Sequence, residues 1–252
     1  MKKLMIAAVA SMAAVGAFAI ESANVVGYNN TAARADLNWY APVFRSIGYN
    51  TTDIQDIDLS DGGAGMVGWG DSMQIVGPLG NASENYAYWD PSMDPAGEAT
   101  TCYWGDDACN AVVISFDEGD GIAIDNMNAL TFDIVNAGQV ATNDVSFAAR
   151  ADLNWSGNPF PMVIDIQAIS LDDGGAGMVG WGDSMQIVGP LGNASENYAY
   201  WDPSMDPAGE AKKCYWGNDG CEPVTRAFEP GEGFAIDNMN GLDFNIKIAC
   251  PY

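Results

Sequence analysis

Thirty-four Asp and Glu side chains, and no His, decide which chemistry this 252-residue chain can do. Without an imidazole it lacks the commonest proton shuttle, transition-metal ligand and triad base. Ser72 and Ser184 follow Gly-Asp, but neither lies in a Gly-x-Ser-x-Gly elbow. Two carboxylate chemistries remain, hydrolysis and calcium ligation. A hydrolase needs two carboxyl groups facing each other roughly 5–10 Å apart, which a sequence cannot display. The expectation is a non-enzyme with no required cofactor, calcium being the one ion the acids would suit. Asp56-x-Asp58-x-x-Asp61-Gly62 has the density of a calcium loop. A second copy of the segment carries Ala168 and Ser170 at the first two positions, so a shared ligand set cannot include them. The candidates present in both copies are Asp61, Asp71, Asp90 and Asp94, with Asp173, Asp183, Asp202 and Asp206. Asp90-Pro91-Ser92-Met93-Asp94-Pro95 reads equally well as two Asx-type turns.

The aromatic candidates also come twice: Tyr86, Tyr88 and Trp89, then Tyr198, Tyr200 and Trp201. Three readings stand for them: core and cross-strand packing, a protein–protein interface, or a glycan-binding face beside Asp and Asn. Cys102 and Cys109 bracket one short loop, and Cys214 and Cys221 an equivalent one, each spaced C-x6-C. In an exported protein this spacing predicts two local disulfides, with a zinc site as the alternative. Cys250, near the C-terminus, has no partner by this count and suggests a free thiol or an intermolecular bridge.

The elements that must position these residues are themselves duplicated. Asp61 to Ala99 recurs without change as Asp173 to Ala211, a run of 39 identical residues at an offset of 112. Ala32 to Trp39 has a close counterpart in Ala148 to Trp155, and Ala123 to Asn128 in Ala235 to Asn240. The first copy carries four extra residues between Trp39 and Asp53. Each copy is as long as a small domain and too long for a solenoid turn. The sequence therefore predicts β domains over 20–138 and 139–252, with a hinge at Asn136-Ala137-Gly138-Gln139. Short runs rich in aromatic and β-branched residues, such as Met66 to Trp69, Ser72 to Val76, Tyr86 to Trp89 and Ala111 to Phe116, alternate with Gly/Pro/Asp turn clusters. That spacing predicts an all-β chain of two tandem sandwich-like or barrel-like domains. A brief helix is expected near Ser46 to Asp56. Ala23 to Tyr28 should form an opening strand, or pair with the sheet edge of a neighbouring subunit.

Residues 1–19 have the three zones of a cleaved signal peptide: Lys2 and Lys3, an apolar run from Leu4 to Phe18, and small residues at Ala17 and Ala19. The expected address is extracellular or at the cell surface, with no membrane insertion. The formal charge of −25 excludes a nucleic-acid binder working through a basic face.

Several motifs together resemble a known group. They are Glu21 to Tyr28 after the signal peptide, Gly70-Asp71-Ser72-Met73, Tyr86-Ala87-Tyr88-Trp89, Trp104, Gly119-Asp120-Gly121-Ile122-Ala123-Ile124 and Leu130-Thr131-Phe132, most of them repeated in the second copy. The chain is similar to uncharacterised exported tandem-module β-rich surface proteins of the Planctomycetes–Verrucomicrobia–Lentisphaerae bacterial group. The resemblance implies a surface or matrix role and supplies no catalytic residue. The resulting expectation is an exported structural protein that self-assembles into a filament, surface layer or matrix, its partner being itself. The alternative is a calcium-assisted carbohydrate-binding adhesin whose partners are glycans.

Overall fold

A computed structural model describes residues 26–34, 36–60, 71–76, 82–126, 131–172, 183–188, 194–238 and 243–252. The chain is all-β, and no α-helix occurs among the described residues. The first repeat contributes β1 (Val26–Ala32), β2 (Asp36–Tyr40), β3 (Phe44–Arg45), β4 (Thr52–Asp53), β5 (Ile57–Leu59), β6 (Ser72–Val76), β7 (Ala82–Trp89), β8 (Tyr103–Gly105), β9 (Ser115–Phe116), β10 (Ile122–Asn126) and β11 (Asp133–Val140). The second contributes β12 (Val145–Ala148), β13 (Asp152–Gly157), β14 (Ile164–Asp165), β15 (Ile169–Leu171), β16 (Ser184–Val188), β17 (Ala194–Trp201), β18 (Tyr215–Gly217), β19 (Ala227–Phe228), β20 (Gly233–Asn238) and β21 (Asn245–Ile248).

The two repeats build the same sheets. A five-stranded sheet runs β2-β10-β6-β7-β8 in the first and β13-β20-β16-β17-β18 in the second. A smaller sheet joins β1, β11, β3 and β5, matched by β12-β21-β15, and the ribbons β4-β9 and β14-β19 close each repeat. Between the sheets lies one apolar core per repeat. Trp104 and Trp216 are fully buried at its centre. Their indole N–H groups donate to Ile57 O at 2.6 Å and Ile169 O at 2.8 Å, so a large apolar surface is buried without stranding a donor. Gln55 holds the Trp104 backbone in place. Its amide donates to Trp104 O and Val112 O at 2.8 Å each, and its carbonyl accepts from Trp104 N at 3.0 Å. Gln167 makes the same three bonds around Trp216.

The opening strand lies within its own chain: β1 pairs antiparallel with β11 from Val26↔Gln139 to Ala32↔Asp133. Asn136 to Gln139 is therefore not a hinge but the middle of β11, and the repeats part instead over 141–144. The Asn-Ala-Gly-Gln composition has a packing cause. Gly27 lies opposite Gly138, and a Cβ on Gly27 would meet Phe44 Cε1 at 2.3 Å, one on Gly138 the Arg45 backbone O at 2.1 Å. Asn136 is fully buried, and its side-chain oxygen accepts from Val43 N at 3.0 Å and Phe44 N at 2.7 Å. The helix expected near Ser46 to Asp56 is only a 3-10 turn, Ile54–Asp56, capped by Asp53.

The repeats are also packed on one another, through contacts that run in both directions. Trp39 stacks on its counterpart Trp155 at 3.7 Å with the planes 10° apart. Gly121 N donates to Trp155 O at 3.1 Å, and a Cβ on its counterpart Gly233 would meet Trp39 C at 2.7 Å. Ala41 N donates to Gly231 O at 3.0 Å. Ala123, Ala235 and Trp155 form a small buried cluster with Leu37, Trp39 and Leu153 against it. Residue i of one repeat meets residue j of the other, and j meets i, which is the mark of a two-fold contact between like subunits. Here it is formed inside a single chain.

Candidate functional site

The described carboxylates common to both repeats occupy two different settings, interior and turn. Asp71 and Asp183 lie inside the protein, 0% and 1% exposed, at the start of β6 and β16. Asp90 Oδ1 accepts from Ser92 N at 2.8 Å, and Asp202 from Ser204 N at the same distance. Asp94 accepts from Ala96 N at 3.0 Å through one oxygen, and from Glu98 N and Ala99 N at 2.7 Å through the other. Asp206 repeats this with Ala208, Glu210 and Ala211. Serine and backbone donors hold Asp90 and Asp202 below the ordinary carboxylate range, and backbone donors led by Ala99 N–H and Ala211 N–H do so for Asp94 and Asp206. Each of the four accepts backbone N–H groups a few residues on, the hydrogen-bond pattern of an Asx turn. Among the described residues no three His, Cys, Asp or Glu side chains gather to hold a metal ion. Asp61 and Asp173 lie outside the described residues.

The aromatics are spent on packing. Tyr88 and Tyr200 are buried, each 4.9 Å from the core tryptophan Trp104 or Trp216. Tyr88 donates to Asp58, at whose position the second repeat has Ser170. Trp89 and Trp201 are half-buried and donate to Asp106 O and Asn218 O at 3.1 Å. Tyr86 and Tyr198 are half-buried and donate to Glu84 and Glu196; burial first, then the carboxylate, pushes both phenols up to about 12.

This structure contains no disulfide between the C-x6-C cysteines. Each pair belongs to a hairpin whose register is Gly105↔Ala111 or Gly217↔Pro223. Cys102 lies three residues before Gly105, roughly 10 Å along an extended strand. Its side chain packs against the first core. Cys109 lies beyond Gly105 at the hairpin tip, with φ 61°, its carbonyl accepting from Tyr103 OH at 2.8 Å. Cys214 and Cys221 (φ 59°) are arranged alike. Cys250 packs against the second core, and its N–H donates to Asp144 at 2.9 Å.

Two surface regions distinguish the repeats. The first is the outer face of the β1 sheet. Val26 and Tyr28 are 60% and 64% exposed there, and Val26 lies in a cross-strand row with Gln139 and Arg45. Two and four residues past Arg45, in the segment with the four extra residues, Ile47 and Tyr49 are 63% and 68% exposed. On the corresponding face of the second repeat, Ser146 pairs with Lys247, so the face there is polar.

The second region lies at the far edge of each five-stranded sheet, β8 or β18, four strands and roughly 19 Å from β2 or β13 at the seam. In the first repeat a groove of about 550 Å³ opens here, lined among others by Asp94, Glu98, Thr100, Thr101, Tyr103 and Asn110. The run of identity ends inside this region, and Thr100-Thr101 is replaced by Lys212-Lys213. The sequence showed this substitution, but only the sheet order reveals that it falls at the two distal edges.

No protein family, curated protein or solved structure matches the chain.

Proposed function

We propose that this chain is an exported structural protein whose molecules associate with one another at the cell surface or outside the cell. One observation carries the reading: an apolar, strand-edged patch on one repeat alone. Among the described residues β1 pairs through one edge only, since it ends its sheet. Its seven residues alternate between exposed and half-buried, and none is buried. An exposed edge strand is a template for pairing with another chain, and an apolar patch beside it marks an interaction surface. Charged residues usually guard such an edge; here Val26, Tyr28, Ile47 and Tyr49 stand at or near it. The occupant is a second copy, whose own β1 offers the same edge and apolar residues in antiparallel register. The signal-peptide pattern of residues 1–19 supports the exported setting.

Sedimentation velocity on residues 20–252 over a wide concentration range tests this. The expected result is reversible association, abolished by Val26→Lys with Tyr28→Lys while thermal unfolding is preserved. A wild-type protein that stays monomeric at the highest concentration overturns the reading.

A further inference from the structure

We infer that the association proposed above closes as a two-fold dimer, with the β1 strands of two molecules joining their sheets edge to edge, and that it grows no further. This rests on the self-association reading and concerns where that association stops.

Strand edges are where one sheet can continue into a sheet of another molecule. Among the described residues every edge except that of β1 is spent, short or guarded. β2 and β13, at the inner ends of the five-stranded sheets, meet the opposite repeat: Tyr40 bridges to Glu232, Ala41 N donates to Gly231 O at 3.0 Å, and Gly121 N donates to Trp155 O at 3.1 Å. β8 and β18, at the outer ends, are closed by their own hairpins, where Val112 N donates to Trp104 O and Val224 N to Trp216 O, each at 3.1 Å. In the smaller sheets β5 and β15 have three residues each, and Ile57 O and Ile169 O already accept from the core indoles. β3 has two residues, and Phe44 O accepts from Thr52 Oγ1 at 2.7 Å. The strands of the two ribbons are two residues long.

β12 is the counterpart of β1 and also ends its sheet, but it has only four residues. Its Val145 and Phe147 pack against the first repeat, where a Cβ on Gly119 would meet Phe147 Cε1 at 2.9 Å and Val145 Cγ1 at 3.1 Å. Lys247 stands opposite Ser146, and a lysine at the margin of a sheet is a common guard against strand addition. β1 by contrast offers seven residues, with Val26 and Tyr28 exposed on it.

Charge disfavours growth through the outer ends. The first repeat carries Asp94, Glu98, Asp106 and Asp107 there; in the second, Asp206, Glu210, Asp219 and Glu222 outnumber Lys212 and Lys213. Both ends are net acidic, so stacking them would set like charge against like in molecules of formal charge −25. A molecule with one adhesive edge meets one partner. Two β1 strands running antiparallel about a two-fold axis use the same patch on both copies, and such a contact closes on itself. The product is two four-stranded sheets made continuous through β1. A filament or layer would need a second adhesive face.

Light scattering and sedimentation equilibrium on residues 20–252 test the closure. The mass should rise to twice that of the monomer and stay there at the highest concentration reached. Single cysteines then read the symmetry: Tyr28→Cys, Asn29→Cys and Asn30→Cys, each first shown to keep the wild-type mass, are oxidised and the linked peptides identified by mass spectrometry. At least one should link to the same position in its partner, because facing residues of an antiparallel pair about a two-fold axis include one that faces itself; its yield should fall at least tenfold on dilution to monomer. A mass that climbs past two chains overturns the closure while leaving self-association intact. A mass that stops at two chains with no such link at any of the three positions overturns the β1 pairing. A wild type that stays monomeric overturns both readings.

Discussion

Replacing Trp155 by Ala tests whether the repeats form one packed unit. Trp155 is 8% exposed and stacked on Trp39 at 3.7 Å. Truncating a buried Trp costs about 3–5 kcal/mol, and an aromatic stack adds about 0.5–1.5 kcal/mol beyond area burial. In a chain this size each kcal/mol moves Tm by about 2–4 °C, so Trp155→Ala should lower Tm by roughly 6–20 °C. Trp39→Ala should act on the same contact, and the double variant should fall short of the sum by about the stacking energy. Phe behaves differently. The indole N–H groups of Trp39 and Trp155 are buried without a hydrogen-bond acceptor among the described residues. Trp39→Phe with Trp155→Phe keeps ring against ring and removes two unsatisfied donors, so its cost should be small beside that of Ala. Calorimetry measures the shifts, and the exciton couplet of the paired indoles in circular dichroism reports the stack. Additive Ala variants, or two separate wild-type transitions of which only one moves, would refute the packed seam.

Gly121→Ala and Gly233→Ala should each wedge the seam open, because the new methyl meets backbone at 2.5 Å (Ser156 N) and 2.7 Å (Trp39 C); loss of the indole couplet in an otherwise folded protein is the expected signal. Gln55→Ala leaves Trp104 N, Trp104 O and Val112 O short of their side-chain partner and should cost about 1–3 kcal/mol in urea unfolding, with Gln167→Ala costing a similar amount. Asp90, Asp94, Asp202 and Asp206 are held below their unfolded values by the hydrogen bonds they accept, so their contribution is complete above the ordinary carboxylate pKa of about 3.9 and is lost as pH falls through the lowered folded values. Asp94→Asn with Asp206→Asn should flatten that acid limb in pH-dependent unfolding; an unchanged slope would disprove the assignment.

Local features were legible where chemistry and structure sit on neighbouring residues. Period-two runs located β6, β7 and β10, and the Asp-Pro-Ser-Met-Asp-Pro stretch spelled out its own turns. Tertiary placement was not legible. The C-x6-C spacing suits a closed loop, yet hairpin register decides where each thiol lies, and Cys109 goes to the tip. Asn136 to Gln139 has a loop's composition because β11 must admit Phe44 and Arg45 against a glycine pair, a demand made by residues some ninety positions away. The seam was hidden most completely: Trp39 and Trp155 were visible as repeats of each other, but duplication leaves no mark of whether the copies touch.

The four residues 141–144 turn what would be an encounter between two separate molecules into a folding step. A tether this short sets an effective concentration in the millimolar range, so the two faces find each other at any dilution. Their mutual attraction can then be slight without the pair coming apart, and each face can drift from its twin: Tyr40 now stands where the other side has Ser156, and Ala41 where it has Gly157. Covalent fusion relieves the joint of self-complementarity and leaves the distal edges at liberty to become unlike.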